Sequence, residues 1–190
     1  MAKLYATKRG RTAIAAVVAA SIGGMVAMSS TMVNDDVALA AQHLVSPWEG
    51  RELRAYPDPA TGGAPWTICD GDTKGVKPGM VETPAGCDKR LVRRMAEFRA
   101  QLVACIPDFG KKPLSWRAMM NSLAYNIGTG AACRSTAARL GIAGRYVESC
   151  QAATAFNKAA GRVFVGLVNR REMGDARRIG EGELCRSGLQ

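Results

Sequence analysis

The most informative stretch of this 190-residue chain is residues 49–73, EGRELRAYPDPATGGAPWTICDGDT. It is rich in Gly, Pro, Asp and Thr, and it contains two short apolar pieces, residues 53–56 and 66–68. Short apolar runs bounded by turn residues are typical of β-hairpins. We therefore expect a small, loop-rich β-region near the start of the globular part of the chain.

Helical patterns flank this region on both sides. Apolar residues recur at helical spacing from Leu91 to Leu102, which predicts a helix over residues 88–104. Ser115 and Gly128 have the residue types that begin and end a second helix, and residues 145–160 form a third amphipathic pattern. A short apolar helix over residues 37–45 should stop at Ser46 and Pro47. The expected fold is α+β: a small N-terminal β-region followed by a mainly helical lobe.

The first 33 residues have the pattern of a membrane-active helix. Residues 12–33 carry no charge, and as a helix they would reach roughly 33 Å, enough for a hydrocarbon core of about 30 Å. The acidic residues Asp35 and Asp36 follow, and four basic residues precede the segment, so the chain should lie N-in, C-out. We expect residues 1–33 to be a signal-anchor or transmembrane segment and residues 34–190 to form the exported domain. The basic residues are Lys3, Lys8, Arg9 and Arg11.

This segment would be a weak anchor. Ala, Gly, Ser and Thr fill most of residues 12–33, and Leu and Phe are absent. Such a helix gains little from insertion, so it can enter a bilayer and leave it later. A cleaved signal peptide is the alternative, because Ala38-Leu39-Ala40 offers a small-residue cleavage site, although the apolar run is longer than usual.

The charge and the cysteines point to the cell envelope. The net charge of +10 predicts attraction to a polyanion, and export makes murein or an anionic envelope surface a better partner than nucleic acid. The six cysteines are expected to pair in an oxidising compartment, and fifteen connectivities are open. A continuous helix over residues 88–104 would hold Cys87 and Cys105 about 27 Å apart, beyond the reach of a disulfide.

Two carboxylates, Glu49 and Asp58, flank the start of the turn-rich stretch. Glycoside cleavage needs one carboxylic acid to protonate the leaving oxygen and one carboxylate to activate water or attack the sugar. Glu49 follows Trp48 at an expected helix end, where burial against apolar side chains would keep it protonated. Asp58 lies between two prolines in an expected exposed loop, where it would stay ionised. Two different environments divide an acid from a base, although pairs of acids at this spacing are common in sequences.

Three motifs in order make this pattern specific. The first comprises residues 49–58 with the later Gly62-Gly63 and Thr67-Ile68-Cys69-Asp70-Gly71-Asp72-Thr73. The second comprises Tyr125-Asn126-Ile127-Gly128 and Cys133-Arg134-Ser135-Thr136, and the third is Gly166-Leu167-Val168-Asn169-Arg170-Arg171-Glu172. Together they resemble the signature of tailed-phage lysozymes, the endolysins of glycoside hydrolase family 24, over roughly residues 37–186.

This resemblance implies a lysozyme-like fold and a muramidase activity. Glu49 would be the general acid and Asp58 the second carboxylate, acting as a base because the family is mostly inverting. Thr67 would hold the attacking water beside Asp58. The interval between Asp58 and Thr67 is longer than in close relatives, so Thr61 and Thr73 remain alternatives for the functional threonine.

Further residues of the motifs are candidates for substrate binding. Asn126 would line the saccharide cleft, and Arg170 and Arg171 would contact the acidic stem peptides of peptidoglycan. Structural roles are the alternative: a buried hydrogen-bonding asparagine at a helix end, and an arginine pair beside Glu172. The sequence shows no cluster of ligands for a metal and no cofactor motif, so we expect neither.

A weak anchor before a lysozyme body resembles a signal-anchor-release endolysin. Such a protein would be held inactive in the host inner membrane until a holin or pinholin collapses the membrane potential, and would then act in the periplasm as a monomer that causes host cell lysis. Two alternatives remain: a secreted lysozyme with a cleaved signal peptide, and a catalytically dead cationic protein that binds murein.

Overall fold

The computed structural model describes residues 3–24, 33–58 and 62–189 of the chain. These residues form ten α-helices, labelled α1 to α10, and four short strands, labelled β1 to β4, in two separate two-stranded antiparallel sheets. The helices are α1 Lys8–Gly24, α2 Asp35–Ala40, α3 Ser46–Glu49, α4 Pro84–Cys105, α5 Leu114–Ile127, α6 Thr129–Arg134, α7 Thr136–Ile142, α8 Tyr146–Ala153, α9 Val165–Arg171 and α10 Glu181–Ser187; the strands are β1 Glu52–Pro57, β2 Trp66–Cys69, β3 Lys158–Ala159 and β4 Arg162–Val163. The expected α+β organisation is confirmed.

The expected small β-region is the hairpin of β1 and β2. Tyr56 pairs with Thr67 and Glu52 pairs with Cys69, and the register shifts between these two pairs. A small apolar cluster centred on Ile68 lies behind the hairpin, and the Cys69–Cys87 disulfide joins the end of β2 to the first turn of α4. The hairpin is therefore connected to the helices by a covalent bond as well as by packing.

The helix predicted for residues 88–104 is present and slightly longer. Thr83 caps α4 by accepting a hydrogen bond from the backbone N–H of Gly86 at 3.0 Å, and Pro84 fills the first turn, where its missing N–H costs nothing. Leu91, Met95 and Leu102 are buried, as their spacing predicts. Cys87 and Cys105 at its two ends are not bonded to each other.

Two other helix boundaries were predicted wrongly. The helix expected to stop at Ser46 and Pro47 continues through a π-helical turn, Ala41–Val45, into α3 and ends at Glu49. Proline is tolerated here because it lies in the first turn of α3, and the π turn absorbs the change in hydrogen bonding. The helix expected over residues 145–160 ends at Ala153, and the β3–β4 hairpin follows it.

Most of the core belongs to the helices. Trp116, Met119, Met120 and Leu123 of α5 are fully buried in one cluster, and a second cluster combines α2, the π turn and α4. Ala13 and Val17 contribute to the second cluster, so α1 packs against the body, mainly on α2 and α10. The remaining disulfides, Cys105–Cys133 and Cys150–Cys185, both join helical segments.

The expected membrane segment lies only partly within the described residues. Residues 25–32 fall outside them, and α1 covers Lys8 to Gly24. In the part of the chain that the structure describes, none of the helices combines the length and the apolar character needed to cross a membrane.

Candidate active site

Glu49 is the last residue of α3 and stands at the junction of the helices with the β-hairpin. Gly50 follows with a φ of 72°, a left-handed conformation that glycine adopts without strain and that turns the chain into β1. The Glu49 side chain is 22% exposed, and its Oε1 accepts a hydrogen bond from Nη1 of Arg170 at 2.6 Å. The carboxyl group is therefore partly accessible and is held by a cation, whereas the sequence predicted an apolar pocket.

Arg170 belongs to a buried network at the centre of the helical lobe. Its Nε lies 3.4 Å from Oε1 of Glu181, a fully buried carboxylate that also accepts hydrogen bonds from Arg171 at 2.5 Å and from the Ser122 hydroxyl at 2.7 Å. Buried charges are stable only when they are paired and hydrogen-bonded. This network joins α5, α9 and α10 and fixes the guanidinium that contacts Glu49.

Trp48, the residue before Glu49, is held by the segment between α9 and α10. Its indole N–H donates to the carbonyl oxygen of Ile179 at 2.9 Å. The guanidinium of Arg178 lies over the indole ring, 3.9 Å from the ring centroid, which is a cation–π contact. The segment between α9 and α10 therefore holds the end of the helix that carries Glu49.

Asp58 and Thr67 lie on the hairpin. Asp58 directly follows β1, and its backbone N–H donates to the carbonyl of Gly63 at 3.0 Å, while Gly62 N–H donates back to the carbonyl of Asp58 at 2.8 Å. Thr67 lies in β2 opposite Tyr56 and is 9% exposed. Of the alternative threonines, Thr73 is exposed in a loop, and Thr61 lies outside the described residues.

The two carboxylates act on a common neighbour. Burial raises the pKa of the Tyr56 phenol, and the negative charges of Glu52, Glu49 and Asp58 raise it further. Negative charge near a phenol disfavours its ionised form. Along the chain, Glu49 and Asp58 flank β1, the strand that carries Tyr56.

A second tyrosine, Tyr125 of α5, contacts the segment that follows β2. Burial raises the pKa of Tyr125 strongly, and the charges of Glu49, Asp72 and Asp70 add to the effect. Its hydroxyl donates to the carbonyl of Asp70 at 2.7 Å. A Cβ placed on Gly71 would lie at ordinary contact distance from both groups, 3.8 Å from this hydroxyl and 3.9 Å from Oε2 of Glu49, so Gly71 borders both the tyrosine and the acid.

The other acids of the β-region are neutralised by arginines. Asp70 is buried and accepts hydrogen bonds from Arg51, with Nη2 at 3.0 Å. Asp72 is buried between Arg90 at 3.1 Å and Arg94 at 3.3 Å. These acids therefore have structural partners, and sequence reasoning did not identify those partners.

The structure places the predicted substrate-binding residues in two different environments. Arg170 and Arg171 are inside the fold, 4% and 0% exposed, and their guanidinium groups contact acids. Asn126 is exposed as a residue, but its Oδ1 accepts a hydrogen bond from Nη2 of Arg171. The two arginines thus form ion pairs with Glu49 and Glu181, acids other than the Glu172 that the sequence suggested. Glu181 was missed, because no local pattern connects it to a site more than a hundred residues away in the sequence.

Comparison with known proteins identifies the group of enzymes that shares this arrangement. The family model described as phage lysozyme matches residues 46–174. The chain belongs to the phage lysozyme family. It is 37% identical over 129 residues to a SAR-endolysin of Pseudomonas phage phiKMV, an alignment that covers 65% of this chain and 76% of that protein. It is also 30% identical over 182 residues to a SAR-endolysin of Enterobacteria phage P21, covering 92% of this chain and 96% of that protein.

The fold agrees with this membership. A solved structure of the active form of the P1 phage endolysin Lyz matches with a TM-score of 0.66 and 22% identity, over 93% of this chain and 95% of that one. The lysozyme-like fold and the glycoside hydrolase class expected from the sequence are confirmed. As a member of the phage lysozyme family, the protein is a muramidase of the endolysin type.

Proposed function

We propose that the protein cleaves the β-1,4 bond between N-acetylmuramic acid and N-acetylglucosamine in peptidoglycan, with Glu49 as general acid and Asp58 as base. The observation that carries the proposal is the match to the phage lysozyme family over residues 46–174, which include both carboxylates. Glu49 ends the helix before the hairpin, and Asp58 directly follows the first strand of the hairpin. Hydrolysis needs two carboxyl groups on opposite sides of the scissile bond.

Glu49 is suited to deliver a proton at a fixed point. Arg170 holds Oε1, and Oε2 lies near Gly71, 3.9 Å from where a Cβ on that glycine would be. A general acid must lie within hydrogen-bond reach of the atom it protonates, so a rigid carboxyl group favours the reaction. Asp58, at the end of β1, would accept the proton of the attacking water.

Thr67 is the threonine that we propose to orient this water. Its position opposite Tyr56 in β2 puts it on the hairpin that carries Asp58, whereas Thr73 is exposed in a loop. Asn126 would contribute at the edge of the cleft, because its residue surface is exposed beside the Arg171 contact.

Activity on permeabilised cells tests this assignment. Glu49→Gln should slow the clearing of outer-membrane-permeabilised Gram-negative cells by about 10²- to 10⁴-fold, the contribution of a general acid. Glu52→Gln is the matched control, since Glu52 is an exposed acid only three residues away on β1. A catalytically dead murein-binding protein would show no clearing with either chain, and equal clearing by wild type and Glu49→Gln would refute the assignment.

We further propose that residues 1–33 hold the enzyme inactive in the host inner membrane, N-in and C-out, and that it acts in the periplasm as a monomer after release. The packing of α1 on α2 and α10 supports a segment that has a place on the body once it leaves the bilayer. The buried Asp36, paired with Arg99 and Arg117, lies in the first turn of the helical run that ends at Glu49. A membrane anchor that ends at Val33 would therefore be attached close to the start of this helical run.

Release can be tested by strengthening the anchor. Replacing Gly23 and Gly24 with Leu should retain the protein in the membrane fraction and abolish timed lysis by a holin or pinholin. Unchanged appearance in the soluble fraction would count against the anchor. N-terminal sequencing of the periplasmic product separates this model from a cleaved signal peptide, which would yield a chain beginning near residue 41.

A further inference from the structure

The N-terminal arm, defined as residues 4–9, docks on α10 through specific polar contacts. Leu4 is 6% exposed and belongs to the main core cluster. The Thr7 N–H donates to the hydroxyl of Ser187 at 3.0 Å, and the Thr7 hydroxyl donates to Glu183 at 2.5 Å. The arm is therefore bound to the body by matched partners as well as by apolar burial.

Arg9 is the main polar contact of this arm. Its Nε and Nη2 donate to the two carboxylate oxygens of Glu183, each at 2.7 Å, which is the bidentate geometry that gives the strongest side-chain ion pairs. Glu183 is fully buried. Within residues 3–24, 33–58 and 62–189, Arg9 is the sole cation in salt-bridge contact with this carboxylate.

The same guanidinium also reaches the segment between α9 and α10. Arg9 donates to the carbonyl of Met173 at 2.9 Å and to the carbonyl of Asp175 at 2.7 Å. One side chain thus joins the start of this segment to α10. Arg pairs with a carboxylate and two carbonyls at once because its donors form a rigid fork, which Lys lacks.

Two routes lead from these contacts to Glu49. The segment clamped by Arg9 continues to Ile179, whose carbonyl holds the indole of Trp48, the neighbour of Glu49. α10 also carries Glu181, which pairs with Arg170, the cation in contact with Glu49. The side-chain contacts of both routes are hydrogen bonds or ion pairs between described residues, and the chain itself connects residue 175 to residue 179 and residue 183 to residue 181.

We infer that Arg9 is a positioning residue for the proposed catalytic acid: by clamping Glu183 and residues 173–175, it holds the Trp48 and Arg170 contacts that fix Glu49. This inference rests on the proposed function of Glu49. In an anchored chain with its N-terminus inside, residues 3–11 lie across the bilayer from the body, so Arg9 cannot reach Glu183. The same arginine would then serve as a flanking charge of the anchor before release and as part of the enzyme afterwards.

The test compares Arg9→Gln with Lys8→Gln in the full-length, soluble protein. Lys8 is the adjacent exposed cation, so both variants keep three basic residues ahead of the anchor. Arg9→Gln should lower kcat on soluble glycan fragments roughly tenfold with a smaller change in KM, and Arg9→Lys should fall between it and wild type. Lys8→Gln should match wild type.

A spectroscopic measurement separates positioning from a general loss of stability. In protein labelled with 5-fluorotryptophan, the ¹⁹F resonance of Trp48 should shift in Arg9→Gln, and the resonance of the core residue Trp116 should stay in place. A merely destabilised enzyme would keep both resonances in its folded fraction.

A double variant covers the case in which Arg9→Gln does not fold. Arg9→Gln with Glu183→Gln removes the buried charge together with its partner, so the chain should fold, with the same loss of kcat and the same shift of Trp48. Wild-type kcat and an unmoved Trp48 resonance, in either Arg9 variant that folds, would overturn the inference. If Glu49→Gln also keeps full activity, the proposed function itself fails; if it does not, only the role of Arg9 fails.

Discussion

The two carboxylates of the site are supported in different ways by the two regions that carry them. Glu49 is fixed by side chains that are distant in sequence: Arg170 contacts it directly, and Glu181 fixes Arg170. Asp58 lies at the end of a strand, where backbone hydrogen bonds with Gly62 and Gly63 define the turn. The proposed acid is thus held by a buried ionic network, whereas local backbone hydrogen bonds close the turn at the proposed base.

The helical lobe and the hairpin also differ in how much apolar surface their cores bury. The helical lobe buries Trp116, Met119 and Leu123 in an extensive apolar cluster. Behind the hairpin, the buried cluster consists of Ile68 with the disulfide pair Cys69 and Cys87. A hairpin with so little apolar burial is marginal by itself, so a covalent bond to α4 replaces the packing that it lacks.

The largest effect is expected on the helical side. Replacing Arg170 should disturb the position of Glu49 and leave the buried charge of Glu181 less well paired. Arg170→Gln leaves Glu49 without its guanidinium and removes one of the two arginines that pair with the fully buried Glu181. We expect kcat/KM to fall about hundredfold, the cost of a small misplacement. The free energy of unfolding should fall by about 3 kcal/mol. Clearing assays and urea unfolding measure the two quantities.

Arg139→Gln is the control for this change. Arg139 is exposed, and its contact with Thr136 is on the surface of α7. It should leave both activity and stability near those of wild type. An Arg170 variant that is less stable yet fully active when folded would show that Glu49 does not need the ionic network.

The next effect belongs to the hairpin. Replacing Cys69 and Cys87 with Ser should lower the free energy of unfolding by about 3 kcal/mol, and the Cys105–Cys133 pair, with a somewhat longer loop, should cost about the same. The activity of the folded fraction should fall only in the first variant, because Cys69 lies two residues after Thr67. Equal activities in both folded variants would contradict the dependence of the base side on this bond.

A smaller effect is expected from the hydroxyl of Thr67. Thr67→Val keeps the shape of the side chain and removes one hydrogen-bonding group, so activity should fall about tenfold, and Thr67→Ser should restore most of it. Thr73→Val is the matched control on an exposed threonine in the loop after β2. If Thr73→Val lowers activity and Thr67→Val does not, the functional threonine has been assigned to the wrong position.

The hairpin and the helical lobe also differ in how much of each the sequence predicts. The β1–β2 hairpin was predictable because its turn residues are neighbours in the sequence. Glu49, Asp58 and Thr67 could be singled out because they belong to one short motif. The α4 helix was predictable because its apolar spacing is regular, although Thr83 and Pro84 begin it four residues before the predicted start. The sequence pattern was therefore sufficient to predict a hairpin or a helix that neighbouring residues determine.

The support of the acid could not be predicted in this way. Arg170 is separated from Glu49 by 121 residues, and a basic residue in a motif of a cationic chain is indistinguishable from a substrate contact until the fold buries it. The continuation of the helix through Pro47 had the same cause, since a π turn stabilised by tertiary packing outweighed the local stop signal. Disulfide pairing likewise needed the placement of β2 beside α4.

The smallest expected effect is a pH-dependent one in the segment that holds Trp48. Hydrogen bonds from the Arg178 side chain, followed by that from the Arg177 N–H, lower the pKa of Asp175 to about 2. A lowered pKa stabilises the folded protein above the ordinary carboxyl pKa of about 4, and this stabilisation is lost as the pH falls from about 4 to about 2. Urea unfolding should therefore show wild type more stable than Asp175→Asn at pH 6, with the difference shrinking toward pH 2.

Asp108→Asn is a useful control for this last change, because Lys111 similarly lowers the pKa of Asp108 on an exposed turn far from Trp48 in the sequence. Both variants should change stability slightly, since exposed ion pairs contribute little. Asp175→Asn should also lower activity at neutral pH, because Asp175 orients Arg178, whose guanidinium lies on the Trp48 ring next to the acid. If the two variants are equally active, the contact between Arg178 and Trp48 does not need this ion pair.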